Sequence, residues 1–243
     1  VTDAEPYAST EWEAADIAEG DHVVDRLTDL FSGADAVIHL AWQIQPNTRR
    51  DQLREVNVDG TRRVAQAVGR AGVGQLLVAS SWAAYSPDEH KGVRAEDWPT
   101  GGVASSHYSV DKAAQERVLD EFEAQYPRVT VARMRTALVF QRDAGAAVTR
   151  YFIGPFVPAR LLRPGTLPVL PLPTGLQVQV VHADDAAAAY LTVLKAGAHG
   201  GFNVAADPIL AADHLGRLVG RGRTIAVPWS AVRPLLALGH KAR

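Results

Sequence analysis

A tyrosine and a lysine stand four residues apart in Tyr108-Ser109-Val110-Asp111-Lys112, and a serine pair, Ser80-Ser81, closes an apolar run that begins at Gln75. Positions i and i+4 of a helix share one face, so the ammonium of Lys112 would sit near the phenol of Tyr108 and favour its ionised form. A free phenol titrates near pH ~10, too high for a base at neutral pH, and a neighbouring cation brings it toward the working range. A serine hydroxyl at the end of a strand would hold the substrate oxygen beside it. The chemistry these residue types support is proton transfer to or from a hydroxyl or carbonyl group.

The surrounding elements must bring these groups together. Leu76-Leu77-Val78-Ala79 reads as a strand ending in the two serines, and Tyr108 to Tyr126 reads as a helix with Val110, Ala114, Val118 and Phe122 at four-residue steps. After Pro127, Val129 to Met134 resumes a strand. Upstream, Ala14-Ala15-Asp16-Ile17 reads as a short strand and Asp21 to Phe31 as a helix stopped by Ser32-Gly33. Ala36 to Ala41 is a strand whose apolar run is broken only by His39, a packed strand residue, and Gln52 to Ala71 is a helix ending near Gly69 and Gly72. Beyond Phe140, prolines at 155, 158, 164, 168, 171 and 173 exclude long regular elements and mark a loop-rich region. Val178–Val181 and Gly201–Val204 read as strands, and Asp184–Ala196 and Ala211–Val219 as helices. This alternation predicts an α/β fold, a doubly wound parallel sheet with helices on both faces and a small C-terminal substrate-binding region.

Composition narrows the function classes. The 243 residues carry a formal net charge of -2, which leaves no basic excess for nucleic acid. With no cysteine there is no disulfide framework and no thiolate metal site, and no metal is expected; a reducing cytoplasm is the expected compartment. No apolar run reaches membrane-spanning length. The opening Val1-Thr2-Asp3-Ala4-Glu5-Pro6 has no signal-peptide features and reads as a chain cut into.

The stretch from Gln75 to Lys112 resembles the active site of the extended short-chain dehydrogenase/reductase family, also called the NAD-dependent epimerase/dehydratase family, and further matches cover most of the chain. Asp16-Ile17 resembles the acidic-aliphatic pair after the third strand, which meets the adenine. Leu40-Ala41-Trp42 resembles the tip of the fourth strand, at the carboxyl end where such sheets bind ligands. Asn57-Val58-Asp59-Gly60-Thr61 resembles the Asn-Val-x-Gly-Thr segment, whose asparagine bonds near the active site. Val181-His182-Ala183-Asp184-Asp185 and Gly201-Phe202-Asn203-Val204 follow in the order the family shows, with His182 taken as structural.

The resemblance implies a Rossmann domain over residues 1–140 and a mainly substrate-binding region over 141–243, with segments around 178–204 returning to the Rossmann domain. It implies NAD as cofactor, with NADP open, and a small-molecule substrate. By the same resemblance Ser81 is the catalytic serine with Ser80 its rival, Tyr108 the general acid/base, and Lys112 the residue that holds the nicotinamide ribose and lowers the phenol pKa. The implied cofactor contacts are Asp16, Ile17, Leu40, Ala41, Trp42, Asn57, Ser80, Tyr108 and Lys112. Tyr85 is expected to pack rather than act as base.

Departures from the pattern are informative. No Gly-x-x-Gly-x-x-Gly turn follows a strand in these residues. The resemblance implies a Gly-rich βαβ unit ahead of Asp16, so the chain is expected to be a fragment; a protein truly lacking that unit would lose its pyrophosphate cradle. Trp82-Ala83 stand where sugar-nucleotide dehydratases carry Asp-Glu, which disfavours dehydration. The expected function is an NAD(P)-dependent oxidoreductase or epimerase, the alternatives being a non-catalytic dinucleotide-binding redox sensor or an inactive fragment. Arg160 and Arg163 in the proline-rich segment are candidates for holding an anionic substrate group. A homodimer through helices 52–71 and 108–126 is expected from the small residues Ala67, Ala71, Ala113 and Ala114.

Overall fold

The structure, a computed structural model, describes residues 9–45, 48–88, 93–141, 168–219 and 221–231. The N-terminal half runs through α1 (Val23–Phe31), β1 (Ala36–His39), α2 (Arg50–Arg54), a π turn (Glu55–Asp59), α3 (Gly60–Ala71), β2 (Gln75–Ser81), a 3-10 turn (Trp82–Ala84) and α4 (His107–Gln125). It continues through β3 (Thr130–Thr136), β4 (Leu138–Phe140), β5 (Leu170–Pro173) and β6 (Gln177–His182). The remaining elements are α5 (Ala183–Ala196), β7 (Gly200–Val204), β8 (Ala206–Ala211), α6 (Ala212–Val219) and β9 (Thr224–Val227).

Strands β1-β2-β3-β7 form a parallel sheet in that order. The alternation of side chains along β2 explains why its apolar run is continuous. Leu76 and Val78 pack with Val131 against Ala65 and Val68 of α3 and Leu119 and Phe122 of α4. Leu77 points the other way and joins Ala132 and Met134 against Ala186 and Val193 of α5. Both faces of the sheet are therefore covered by helices, the Rossmann-like arrangement the sequence implies. Helix α1 lies against α3 through Val23, Val24, Leu27, Val64 and Ala67.

The helix ends follow from local chemistry. Ser106 caps α4 by accepting from the Ser109 amide, and His182 caps α5 by accepting from the Asp184 amide, which gives His182 a structural task. Gly72 ends α3 at φ 71°, a left-handed conformation that glycine adopts without a Cβ penalty.

Several expectations change. Ala14–Ile17 forms no strand: among the described residues β1 pairs only with β2, so this segment has no ladder to join, and it makes a turn. The helix expected from Gln52 to Ala71 contains a π turn over Glu55–Asp59. Leu170–Pro173 is a strand despite Pro171 and Pro173, because it pairs only with β9 in a two-stranded sheet, where a missing donor is tolerated. Strand β6 pairs with β4 and, antiparallel, with β8. Ala67, Ala113 and Ala114 are buried within the chain itself. Arg160 and Arg163 lie outside the described residues. Among those residues no helix is long and apolar enough to cross a membrane.

Leu119 is fully buried between α4 and the sheet. Leu119→Ala is expected to lower the unfolding free energy by about 2–5 kcal/mol, the cost of lost burial plus a cavity, measured by urea titration.

Candidate active site

Strand β2 ends at Ser81, and α4 begins beside it. The two serines point to opposite faces, as neighbours on a strand must. Ser80 is 3% exposed and donates to Glu116 Oε1 at 2.6 Å. It is committed to the interior. Ser81 instead accepts from the Ala83 amide at 3.2 Å and lies near enough to the Tyr108 phenol to lower its pKa. The 3-10 turn that follows is fastened to α4, since Ser109 Oγ donates to the Ala83 carbonyl and accepts from the Val103 amide. Gly102, at φ 69°, brings its amide to the Ala84 carbonyl, and a Cβ there would stand 2.8 Å from the Ser109 carbonyl oxygen. This packing sets Ser81 against Tyr108.

Lys112 lies one turn along α4 and is 2% exposed. Its ammonium donates to the Ala79 carbonyl at 2.6 Å and to Gln115 Oε1 at 3.0 Å, and it stands 3.4 Å from the centroid of the Trp42 ring. Trp42 in turn meets the Tyr108 ring edge-on at 5.8 Å. Burial pulls the lysine pKa down to about 7 against an upward pull from Glu116. Burial also raises the Tyr108 phenol, and Ser81 lowers it in part. The Lys112 ammonium itself is held by the strand carbonyl, the Gln115 amide oxygen and the indole face.

The carboxyl edge of β1 carries the second group of residues. Asn57, in the π turn, accepts from the Gln43 amide at 2.7 Å and donates to the Gln43 carbonyl at 2.8 Å. It thereby fixes the loop that holds Leu40, Ala41 and Trp42. A π bulge at this place turns the asparagine toward that loop. Asp16 is exposed and accepts from the Ala18 amide, the bond of a turn aspartate. Ile17 packs on Gly60, where a Cβ would come within 2.8 Å of its side chain, and its carbonyl accepts from Arg63. His39 Nε2 lies 3.0 Å from Thr61 Oγ1, and burial, reinforced by the charge of Lys112, lowers its pKa to about 4.

Sequence reasoning missed a buried ionic cluster beneath these groups. Glu116 receives Arg135 Nε at 3.0 Å and Nη2 at 2.9 Å, and Arg133 Nε stands 3.2 Å away. Arg135 Nη1 also reaches the Tyr85 hydroxyl, which donates to Asn203 Oδ1 at 2.7 Å. Tyr85 is 2% exposed, and burial raises its pKa against a downward pull from Arg135. The available signal was two arginines two apart in an apolar strand, which demand a buried carboxylate. One residue beyond Ser81, a cavity of about 710 Å³ begins at Trp82; Tyr85, Gln177, Gln179, Asn203 and Trp229 also line it.

The sequence profile of the NAD dependent epimerase/dehydratase family matches residues 1–205. The chain belongs to that family. Within a stretch of 57 residues this family member is 40% identical to an L-arabinose 1-dehydrogenase (NAD(P)(+)) of Haloferax volcanii, covering 24% of this chain and 22% of that protein. The chain spans less than half the length of the curated relatives it matches. Two solved structures share the fold. UDP-N-acetylglucosamine 4-epimerase from Bacillus cereus has a TM-score of 0.62 at 17% identity, over 97% of this chain and 80% of its own. A double mutant of DesIV, the dTDP-glucose 4,6-dehydratase of Streptomyces venezuelae, solved with NAD bound, has a TM-score of 0.67 at 21% identity, over 92% and 69%.

The residues at the carboxyl edge fit the family's NAD. Leu40 is 61% exposed there, and the Trp42 indole N–H is buried without a hydrogen-bond partner among the described residues, a donor suited to a bound polar group.

His39 supplies a pH test of this packing. The unfolded chain takes up the histidine proton near pH ~6.5, whereas the folded chain does so only near pH 4. Stability therefore falls as pH drops from about 6.5 to about 4, by roughly 2–3 kcal/mol. His39→Gln, which keeps a donor for Thr61, should reduce this acid sensitivity; urea titrations of both proteins at pH 7.5 and 4.5 measure it.

Proposed function

We propose that this chain carries the catalytic part of an NAD-dependent oxidoreductase or epimerase acting on a hydroxyl or carbonyl group of a small molecule. The observation that carries the reading is the placement of Ser81 at the carboxyl end of a central parallel strand, close enough to the Tyr108 phenol to lower its pKa, with Lys112 one helical turn away and a cavity opening at the next residue.

Ser81 and Tyr108 are the groups suited to bracket the reacting oxygen. The serine hydroxyl orients that oxygen, and the phenol gives or takes its proton. Lys112, fixed at the Ala79 carbonyl, keeps a cation beneath the tyrosine's ring partner Trp42 and would hold the ribose hydroxyls of the cofactor. Leu40, Ala41 and Trp42, fastened by Asn57, would form the wall against the nicotinamide, and Asp16 with Ile17 the contact to the adenine. NAD, when bound, supplies a hydride acceptor or donor. Dehydration is disfavoured, because Trp82 and Ala83 offer no carboxylate beside Ser81.

The cavity supports a polyhydroxylated, sugar-like substrate. Gln177, Gln179 and Asn203 present amides, Trp82 and Trp229 present aromatic faces, and the Trp82 indole N–H is buried without an acceptor among the described residues. The sugar substrates in the names of the related enzymes agree with this chemistry.

In the full protein, Tyr108→Phe should lower kcat by about 10²–10⁴-fold, the usual contribution of a positioned acid/base, while the Kd for NAD stays within a few-fold. Lys112→Met should impair both. Steady-state turnover with sugar substrates and calorimetric NAD binding separate the two; near-normal kcat in Tyr108→Phe refutes the mechanism, and NAD binding with no hydride transfer to any sugar favours a redox sensor.

A further inference from the structure

Lys112 is 2% exposed, and its ammonium is held by few groups. Three N–H bonds leave an ammonium. One meets the Ala79 carbonyl, one meets Gln115 Oε1, and the indole face of Trp42 covers the ammonium. The carbonyl belongs to the sheet and the indole to a loop. Gln115 is the only side chain in this set that both accepts from the lysine and is itself anchored among the described residues.

The chemistry of each partner fixes the direction of every hydrogen bond around that amide. As an ammonium Lys112 only donates, so the Gln115 atom facing it is the oxygen. Gln115 Nε2 then faces Thr61 Oγ1 at 3.2 Å. Thr61 gives its single proton to the Asn57 carbonyl at 2.7 Å, so its lone pairs receive Gln115 Nε2–H on one side and His39 Nε2–H on the other. Each of these contacts pairs a donor with an acceptor. Gln115 is 1% exposed, Thr61 1%, Asn57 2% and His39 5%, so no solvent substitutes for a lost partner.

We propose that Gln115 is the positioning residue for Lys112. Its oxygen sets where the ammonium stands, and its nitrogen ties that oxygen through Thr61 to β1 and to the π turn that carries Asn57. The same amide thus couples the lysine to the frame of the loop bearing Trp42. The chain is not a proton relay, because a carboxamide passes no proton without becoming an imidic acid, so its work is orientation. The inference deepens the proposed function by naming what holds Lys112 in register for the cofactor ribose, and it rests on that reading only for this last purpose.

The other charged groups around Lys112 are accounted for. From β1 comes neutral His39, and from β2 come only the Ala79 carbonyl and Ser80, which serves Glu116. In the π turn, Glu55 pairs with Arg63 and Asp59 with Arg62. On α4 itself, Asp111 pairs with Arg50 of α2, Tyr108 lies beside Ser81 with its phenol raised by burial, and Glu116 pairs with Arg135.

The lysines of this sequence are Lys91, Lys112, Lys195 and Lys241, so a titration followed by NMR of protein labelled with [13Cε]lysine resolves few signals, and the Lys112 signal is the one lost in Lys112→Met. In the full protein, Gln115→Met removes the acceptor and should lower the Lys112 titration midpoint by about one pH unit or more. Gln115→Glu restores an acceptor and adds a negative charge, and should raise the midpoint above that of the wild type. An unchanged midpoint in Gln115→Met overturns the proposal. If Gln115→Met does not fold, Gln115→Glu decides alone: a midpoint within 0.2 (about the error of such a titration) of wild type overturns it. Neither readout needs NAD or turnover, so failure of the catalytic reading leaves this result standing, and failure of this result leaves the Tyr108→Phe experiment untouched.

Discussion

A carboxylate at 1% exposure can remain ionised only if its charge is answered on the spot, and Glu116 is answered three times. Arg135 meets it with two nitrogens, Arg133 stands beside it, and Ser80 donates to it. These partners lie on β2 and β3, whereas Glu116 lies on α4. The cluster therefore keys the helix carrying Tyr108 and Lys112 to the strand ending in Ser81. Arg135 extends the tie through the Glu96 carbonyl and the Tyr85 hydroxyl, and Tyr85 reaches Asn203 of β7. An apolar cluster of the same volume would hold the elements together but would tolerate sliding; directional bonds to one carboxylate do not.

A second set of bonds governs the edge of β1. Asn57 grips both backbone groups of Gln43, so the loop after β1 is held by a side chain of the π turn rather than by a strand neighbour. Arg63 does similar work for the Ile17 turn, bonding its carbonyl while pairing with Glu55 and Asp21. Asn57 and Arg63 thus point inward to loops rather than to solvent.

How much of this was legible depended on the kind of interaction. The doubly wound sheet could be read because β2 alternates large apolar residues toward two helical layers, and any such strand has to be covered on both sides. The Tyr108–Lys112 spacing placed both residues on α4, whereas Ser80 and Ser81 stayed rivals until the bond from Ser80 to Glu116 told them apart. Where Lys112 points was not legible, because four-residue spacing gives proximity and says nothing of competing acceptors such as the Ala79 carbonyl. Gln115 and Glu116 looked like ordinary polar helix residues, since burial of a helix face between strand and helix is a tertiary fact. Strands β4, β8 and β9 are short and pair non-locally, and β5 hid behind its prolines.

The contact between Gly60 and Ile17 has a bearing on sequence variation. A methyl at position 60 would overlap the isoleucine side chain, with 2.8 Å to its Cδ1. The two positions therefore behave as one compound site: Ala at 60 becomes acceptable when 17 shrinks, and bulk at 17 is available only while 60 has no side chain. Effects of substitution at the two are non-additive for this steric reason. In a set of homologous sequences the pair would drift together, a correlated exchange between a turn and a helix more than forty residues apart.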